Sequence, residues 1–544
     1  MMNNVRNWAT RGALFLSLLT GTNGFSARLS HPNEFVKIEK GRFTLGGKDF
    51  AFVGSNFYRL ALSDRFSGQD VQSKDAEGKT TYPLVDQVFA GYQAKGIRVV
   101  RIWGFACEGS RGHAVQPALL TREGLMKNPV ELNDTAFEKL DYVLDAAGRY
   151  GVKVILPLVN FEHEYCGMEW WVENTTGSTD KHLFYSDPRV WSKFTSYVQS
   201  LLERTNRYTN MPYRDDPSIL AIELANEPHT KDFYECTRTG RTESECQQLD
   251  MRTFGAGNLV RDWLTRMSHF VKSVDSNHLV SHGEEGYLAD LDSLSPDCKQ
   301  KHQWIHNGSK GTDFAKNAAI PDIDFLTNHI YPDNWNIPIS DLPWVKTCIF
   351  DKRAEITKAL GKPIILEETG FNERPDGYGQ REYKLDRPYF LSKMFRFATE
   401  AGYSGTMVWQ AVPLLDSGRP ADDDDFTFPI SKKSDESYTA DGYAMALQVQ
   451  CMNEIMNRRG SAACTWICPK GTSVDSSRMG VDAEGYRCYL PEAGWAPSEP
   501  YPICDNASAD ASGWGWTKTR DLCLAHSEAA LQYPNQGGCS CKRP

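Results

Sequence analysis

Eight short apolar runs recur between residues 50 and 410, separated by longer amphipathic stretches. They are AFVGSN (51–56), IRVVRIW (97–103), VKVILPLVN (152–160), ILAIELANE (219–227), HLVSHGEE (278–285), IDFLTNHIY (323–331), PIILEET (363–369) and SGTMVWQ (404–410). Most are rich in β-branched residues and nearly continuous in hydrophobicity, as expected of strands covered on both faces. Between them the apolar spacing lengthens to a helical period. VWSKFTSYVQSLLERTNRY (190–208) places Val190, Phe194, Val198, Leu201 and Leu202 on one stripe, and NLVRDWLTRMSHFVKSV (258–274) predicts a second helix. Eight strand-plus-helix units predict an α/β protein built as a (β/α)8 TIM barrel with long loops. An open doubly wound sheet is the competing layout, but no glycine-rich phosphate loop follows the first run.

The pattern breaks after about residue 455. The stretch 461–544 has no long apolar run and is rich in Cys, Gly, Trp and Tyr; seven of the 14 cysteines fall between Cys464 and Cys541. This density predicts a small C-terminal disulfide-rich module in an oxidising compartment. No pair of C-x-x-C motifs argues for structural zinc. Within the barrel region, Cys236 and Cys246 flank a polar loop and are candidate partners. The N-terminus carries Arg6 and Arg11, then the apolar run Ala13–Leu19, then small and polar residues. That layout predicts a signal peptide over residues 1–26, cleaved near Gly24–Ala27, and a run too short for an ordinary membrane span. The expected division is therefore a leader (1–26), a catalytic barrel (30–455) and the module (461–544), in a secreted, extracellular protein. Sequons at Asn133, Asn174, Asn307 and Asn506 are candidate glycan sites. The net charge of −10 and mean hydropathy of −0.49 describe a globular chain and argue against nucleic acid or an anionic membrane as partner.

Chemistry concentrates where the runs end. Arg101 and Trp103 close the second, Asn160 the third, Asn226 and Glu227 the fourth, and Glu284 and Glu285 the fifth. His329 and Tyr331 close the sixth, Glu367 and Glu368 the seventh, and Trp409 and Gln410 the eighth. In a barrel these positions ring one mouth, where active sites are built. Glu227 and a glutamate of the seventh run would then face each other. Two opposed carboxyls, one protonated and one ionised, are the minimum machinery for hydrolysing a glycosidic bond. Strand alternation puts Glu367 and Glu368 on opposite faces, so one of them points into the mouth, and spacing does not choose between them. Trp103, Trp170, Trp171, Tyr331 and Trp409 suit the apolar faces of sugar rings or simple packing. His282 and His329 stand isolated and there is no H-E-x-x-H, so neither a metal nor a cofactor is expected.

Six blocks in order carry a family resemblance: KGIRVVRIWGF (95–105), LVNFEHEYCGMEWWVE (158–173), YRDDPSILAIELANEPHT (213–230), HLVSHGEEGY (278–287), GTDFAKNAAIPDIDFLTNHIYPDNW (311–335) and KPIILEETG (362–370). Over about residues 35–450 the chain resembles endo-β-1,4-mannanases of glycoside hydrolase family 5, subfamily 7. The resemblance implies a retaining barrel hydrolase acting inside β-mannan chains. It implies Glu227 as acid/base and Glu368, two places before the glycine closing the seventh run, as nucleophile. Asn226 matches the residue that bonds the sugar 2-hydroxyl, and Tyr331 the one that orients the nucleophile. Trp103 and Trp409 match sugar-contacting positions, and Arg101 and His329 match supports of the carboxylates. Three positions depart from the pattern: His229 stands where an arginine is usual, Ile222 where a tryptophan is common, and Thr369 where an aromatic residue is usual.

Residues 487–525 resemble family 10 carbohydrate-binding modules through Tyr501–Cys504, Gly513–Trp516 and Cys523. That resemblance implies cellulose as a further partner, with Trp495, Trp514 and Trp516 as candidate contacts; a compact domain using these residues as core is the alternative. For the whole chain, a β-1,4-glucanase of the same fold and a non-catalytic carbohydrate-binding protein are the competing readings.

Overall fold

The computed structural model describes residues 34–62, 72–110, 117–372, 387–414 and 424–429, with a few short pieces elsewhere. All eight expected runs form strands: β1 (Phe52–Asn56), β2 (Val99–Arg101), β3 (Lys153–Pro157), β4 (Ile219–Glu223), β5 (Leu279–Ser281), β6 (Leu326–His329), β7 (Ile364–Glu368) and β8 (Gly405–Val408). They pair in parallel in the order β5-β4-β3-β2-β1-β8-β7-β6. A parallel bridge between Ser281 and Phe325 joins β5 to β6 and closes the ring. The layout is a (β/α)8 barrel, and every barrel-strand residue is buried. This burial on both faces is why the runs lack strict alternation.

Among the described residues, the helices α1 (Pro83–Lys95), α2 (Asp134–Tyr150), α3 (Pro188–Glu203), α4 (Asn258–Val274), α5 (Lys352–Leu360) and α6 (Arg387–Ala401) lie between or after the strands in sequence. The second predicted helix matches α4 in full. The first overran its observed end by five residues, because α3 stops at Glu203. Beyond that point Asn206 Oδ1 accepts the backbone N–H groups of Tyr208 and Thr209, a local alternative to helical bonding. The predicted stripe of α3 is buried throughout.

A three-stranded antiparallel sheet over residues 37–49, which the strand pattern did not predict, precedes the barrel. Its Phe43 packs edge-to-face on Phe325 and, with Val36, Leu45 and Phe50, covers Phe52, Val99, Ile155, Leu220 and Ile365 near the strand starts. The bottom of the barrel is thereby sealed with apolar side chains, leaving the opposite end for chemistry. Three disulfides lie in the described residues: Cys107–Cys166, Cys236–Cys246 and Cys298–Cys348. The expected Cys236–Cys246 pair links two short helices, Tyr234–Thr237 and Glu243–Cys246. Cys107–Cys166 ties the loop after β2 to the loop after β3, both at the mouth.

The expected leader (1–26) and nearly all of the expected module (461–544) lie outside the described residues, Asn506 and Trp495, Trp514 and Trp516 included. Two short antiparallel pairs are described there, Ser473–Val474 with Cys488–Tyr489 and Ile503–Cys504 with Cys541–Lys542. Among the described residues no helix is long and apolar enough to cross a membrane.

Candidate active site

The strand ends converge on one network of charge. Arg101, at the end of β2, is fully buried. Its Nε and Nη2 donate to the two oxygens of Glu223 (2.8 and 2.5 Å). Nη2 also donates to Asn226 Oδ1 (2.7 Å), while Nη1 reaches Asn56 Oδ1 (3.1 Å) and Glu368 Oε1 (2.5 Å). One planar guanidinium thus ties β1, β2, β4 and β7 together, a task the five fixed donors of arginine suit. Tyr331 donates its hydroxyl to the other oxygen of Glu368 (2.8 Å). His329 donates from Nδ1 to Glu227 (2.9 Å) and from Nε2 to Glu367 (3.0 Å).

Glu227 occupies an unusual backbone position. Its φ is +52°, in the left-handed region that non-glycine residues avoid at a cost on the order of 1–3 kcal/mol. Its N–H is held by the Gly283 carbonyl (2.8 Å). A Cβ at Gly283 would lie 2.0 Å from the Ala225 carbonyl oxygen, so glycine alone permits this approach of β5 to the end of β4. The result turns Glu227 toward Glu368. Oxygens of the two carboxyls and the His329 ring nitrogen lie within 4.8 Å of one another. That spacing could bridge a cation, but His329 spends both ring nitrogens donating to carboxylates and keeps no lone pair to ligate one.

Glu367 and Glu368 do not divide between the two faces as alternation predicts. The β6–β7 register shifts between Asn328 and His329, so His329 pairs with Glu368 and Glu367 becomes an extra residue. Both side chains reach His329, Glu368 at the mouth and Glu367 fully buried. His329, isolated in the sequence, is in fact the hub of three glutamates.

The aromatic positions separate. Trp409 is partly buried and stacks on Tyr58 (4.8 Å between ring centres, 19° between planes). Trp103 is only 5% exposed, set against Tyr58, Tyr165 and Trp409 behind that face. Trp170 and Trp171 are not at the mouth surface as a sugar-contacting role requires. Both are buried; Trp170 donates to the Glu108 carbonyl and Trp171 packs on Phe194 and Tyr197.

The model of family 5 glycoside hydrolases described as β-mannosidase-like matches residues 33–413. The chain belongs to that family. Mannan endo-1,4-β-mannosidase 1 of Oryza sativa subsp. japonica is 32% identical over 407 residues, 71% of this chain and 80% of that protein. Mannan endo-1,4-β-mannosidase 1 of Solanum lycopersicum is 28% identical over 406 residues, 73% of this chain and 86% of that protein. The solved endo-β-1,4-mannanase of Thermotoga petrophila superposes with a TM-score of 0.56 at 24% identity, covering 79% of this chain and 80% of that one, which bears on the fold.

Within this family 5 hydrolase the charges condition one another. Burial alone would discharge His329, yet Glu368, Glu227 and Glu367 around it raise it well above the ordinary histidine value, so it is an imidazolium. Burial pushes Glu227 up as well, but the hydrogen bond and charge of His329 outweigh it and leave the carboxyl below its usual range. At Glu368 burial prevails over His329 and Arg101 and the carboxyl is raised, the charge of Glu227 adding to the effect.

Sequence reasoning missed Glu223, Asn56 and Tyr58. Glu223 did leave a signal: a charged residue in the middle of the apolar run ILAIELANE, which burial requires to be paired or neutralised. Asn56 donates to the Glu367 and Val408 carbonyls and so fixes β1 against its neighbours at the mouth.

Just behind the mouth, Glu284 accepts from Thr312 and from Asn317 Nδ2 (2.6 Å) on one oxygen. Burial pushes its carboxyl up to about 8, so it is neutral at pH 7. A carboxyl raised in the folded state contributes fully below its unfolded value, near about 4.3, and that contribution is lost as pH rises through about 8. Glu284→Gln keeps the shape without the proton. It should match the wild type at about pH 4 and be more stable at about pH 9, because the parent loses up to about 1.4 kcal/mol per pH unit in between. Urea unfolding at both pH values reads the difference; parallel slopes would refute it.

Proposed function

We propose that this chain is a secreted endo-acting mannanase of subfamily 7, with Glu368 as nucleophile and Glu227 as acid/base. One observation carries the reading: Glu227 and Glu368 face each other from the ends of β4 and β7 with oxygens within 4.8 Å. Retaining glycosidases hold their carboxyls about 5–5.5 Å apart, whereas inverting ones leave about 6.5–9.5 Å for a water. Family membership and the mannan endo-1,4-β-mannosidases among the relatives support β-1,4-mannan as the polymer.

In the first step Glu368 attacks the anomeric carbon while Glu227 protonates the departing oxygen. In the second, Glu227 takes a proton from water, which releases the sugar with its original configuration. Arg101 and Tyr331 hold one oxygen each of Glu368 and fix its line of attack. A glycosidic oxygen that accepts a hydrogen bond from Glu227 favours its protonated form, and consuming the Glu368 charge in the ester then favours the ionised form that the second step needs as base. Asn226 gives one amide N–H to Asn160 Oδ1 (2.9 Å) and keeps a second for the 2-hydroxyl of the reacting sugar. Trp409 forms the apolar floor for that ring, with Trp103 supporting it from behind.

The apolar run near the N-terminus supports secretion. The cysteine and tryptophan pattern of 461–544 supports a carbohydrate-binding module, with cellulose as its flat ligand. The test is a hydrolysis panel over mannan, galactomannan, glucomannan and carboxymethyl cellulose, with the first-formed anomer read by proton NMR. Faster cleavage of carboxymethyl cellulose would shift the substrate to β-1,4-glucan, and an initial α-anomer would overturn the nucleophile. Deletion of 461–544 should weaken retention on insoluble cellulose and spare soluble mannan.

A further inference from the structure

Asn226 and the Trp409 floor are both backed by the loop after β3. That loop leaves at Asn160 and returns at Met168, whose N–H bonds the Asn160 carbonyl (2.9 Å). It closes so tightly that a Cβ at Gly167 would lie 1.9 Å from the Glu162 carbonyl oxygen. Asn160 forms one parallel bridge to Gly167 and another to Asn226. Toward Asn226 the lacing is dense. The Asn226 N–H bonds the Val159 carbonyl (2.7 Å), the Phe161 N–H bonds the Asn226 carbonyl (3.0 Å), and Asn160 Oδ1 accepts one amide N–H of Asn226. Later in the same loop Tyr165 is held at φ +64°, a left-handed setting that a bulky residue avoids. Its carbonyl accepts the Cys107 N–H (2.6 Å). Its ring stands edge-on to Tyr58 (5.7 Å, 81°) and to Trp103 (5.4 Å, 81°), and Tyr58 is the ring on which Trp409 stacks. Between Tyr165 and Gly167 comes Cys166, joined to Cys107; both cysteines are buried.

We propose that the Cys107–Cys166 disulfide and Tyr165 form a positioning clamp, which sets the Trp409 floor and the Asn226 amide together for the reacting sugar. This rests on the reading of Asn226 and Trp409 as contacts of that sugar. Two routes leave the crosslink. One runs from Tyr165 through Tyr58 and Trp103 to Trp409. The other runs from Cys166 through Gly167 and Asn160 to Asn226. A left-handed tyrosine persists only where its surroundings over-determine it, and a covalent bond at the next residue supplies that constraint. The two loops also meet through Ser110 Oγ on the His163 carbonyl (3.2 Å), so the crosslink is not needed to bring them together. Its particular effect is to fix the far end of the loop, where the ring of Tyr165 and the return to Asn160 are set.

The test compares two double variants. Cys107→Ser with Cys166→Ser removes the clamp, and Cys298→Ser with Cys348→Ser removes another staple. The two bonds span 59 and 50 residues, so the chain entropy they restrict is nearly equal and the thermal midpoints should fall alike. Kinetics on mannohexaose are read well below both midpoints. The first pair is expected to lose about 10- to 100-fold in kcat, the scale of an ångström-sized misplacement. KM should change less, because the bond to the 2-hydroxyl strengthens in the transition state. The second pair should keep the wild-type kcat. Tyr165→Leu, with the disulfide intact, should also lower kcat, and Tyr165→Phe should restore most of it by keeping the ring contacts. Since both act through one loop, combining Tyr165→Leu with the first pair should cost far less than the product of the two losses. Wild-type kcat in the first pair would overturn the clamp. So would equal kcat losses in the two pairs, or losses that multiply. If the first pair does not fold, Tyr165→Leu decides alone, and an unchanged kcat overturns the clamp. Full activity of both Asn226→Ala and Trp409→Ala would overturn the sugar-contact reading on which the clamp rests. If the wild type cleaves cellohexaose but not mannohexaose, the mannanase reading fails, and the same comparison on cellohexaose decides the clamp.

Discussion

Glu368→Ala is expected to abolish hydrolysis of mannan, with a loss in kcat on the order of 10⁴-fold or more, while the fold is retained. The physical ground is the placement of this carboxyl. It sits at the mouth, 4% exposed, with one oxygen on Arg101 and the other on Tyr331, so its line of attack is set before the sugar arrives. Removing it leaves a small space beside the anomeric carbon, with Arg101 still present to attract an anion. Azide added with an aryl mannoside should enter that space and attack opposite the leaving group, yielding an α-glycosyl azide. The neighbouring Glu367 offers no such opening, being fully buried against His329. Activity that survives Glu368→Ala but vanishes in Glu367→Ala would reverse the assignment of the nucleophile.

Glu227→Ala should cost about 10²–10⁴-fold on mannan, the usual range for a lost general acid/base. The size of the loss should follow the leaving group. A sugar hydroxylate departs poorly without a proton, so the polysaccharide suffers in full. A nitrophenolate needs no proton, so the first step with an aryl glycoside should persist and the covalent intermediate should accumulate as a burst. Azide should then resolve that intermediate from the face that Glu227 vacates, giving the β-glycosyl azide. Opposite azide stereochemistry from the two variants is the result the two assigned roles require. The same anomer from both would sink one of them.

The proton balance behind these roles was not legible from residue types. Two glutamates in two separated runs, ILAIELANE and PIILEET, are enough to propose an acid and a base. Which of Glu367 and Glu368 serves depended on resemblance, since alternation only said that they differ. The register shift opposite His329 explains why alternation was an incomplete guide: the extra residue on β7 lets both carboxyls turn toward the same imidazole. The burial of Trp170 and Trp171 has a similar origin. Their sequence, next to the end of the third run, places them near the mouth, but a helix over Met168–Thr176 buries both, Trp171 against Phe194 and Tyr197 of α3 and Trp170 edge-on to Trp171 with its N–H on the Glu108 carbonyl.

By itself, the sequence determined the barrel, because eight apolar runs covered on both faces leave few other ways to bury them, and it marked the end at which the polar residues gather. The run ends also offered a wider set of polar residues at that mouth, from which the family resemblance singled out Glu227, Glu368, Arg101, Asn226, His329 and Tyr331. Only the tertiary structure decided how those residues share charge. Glu223, Arg101 and Glu368 come from strands far apart in the chain, and their hydrogen bonds exist only once β2, β4 and β7 are ringed together. The left-handed turn at Glu227 likewise depends on the approach of Gly283 from β5. Periodicity is a local property and predicts which face a residue takes; the protonation and aim of a buried side chain depend on distances across the barrel, which no local pattern carries.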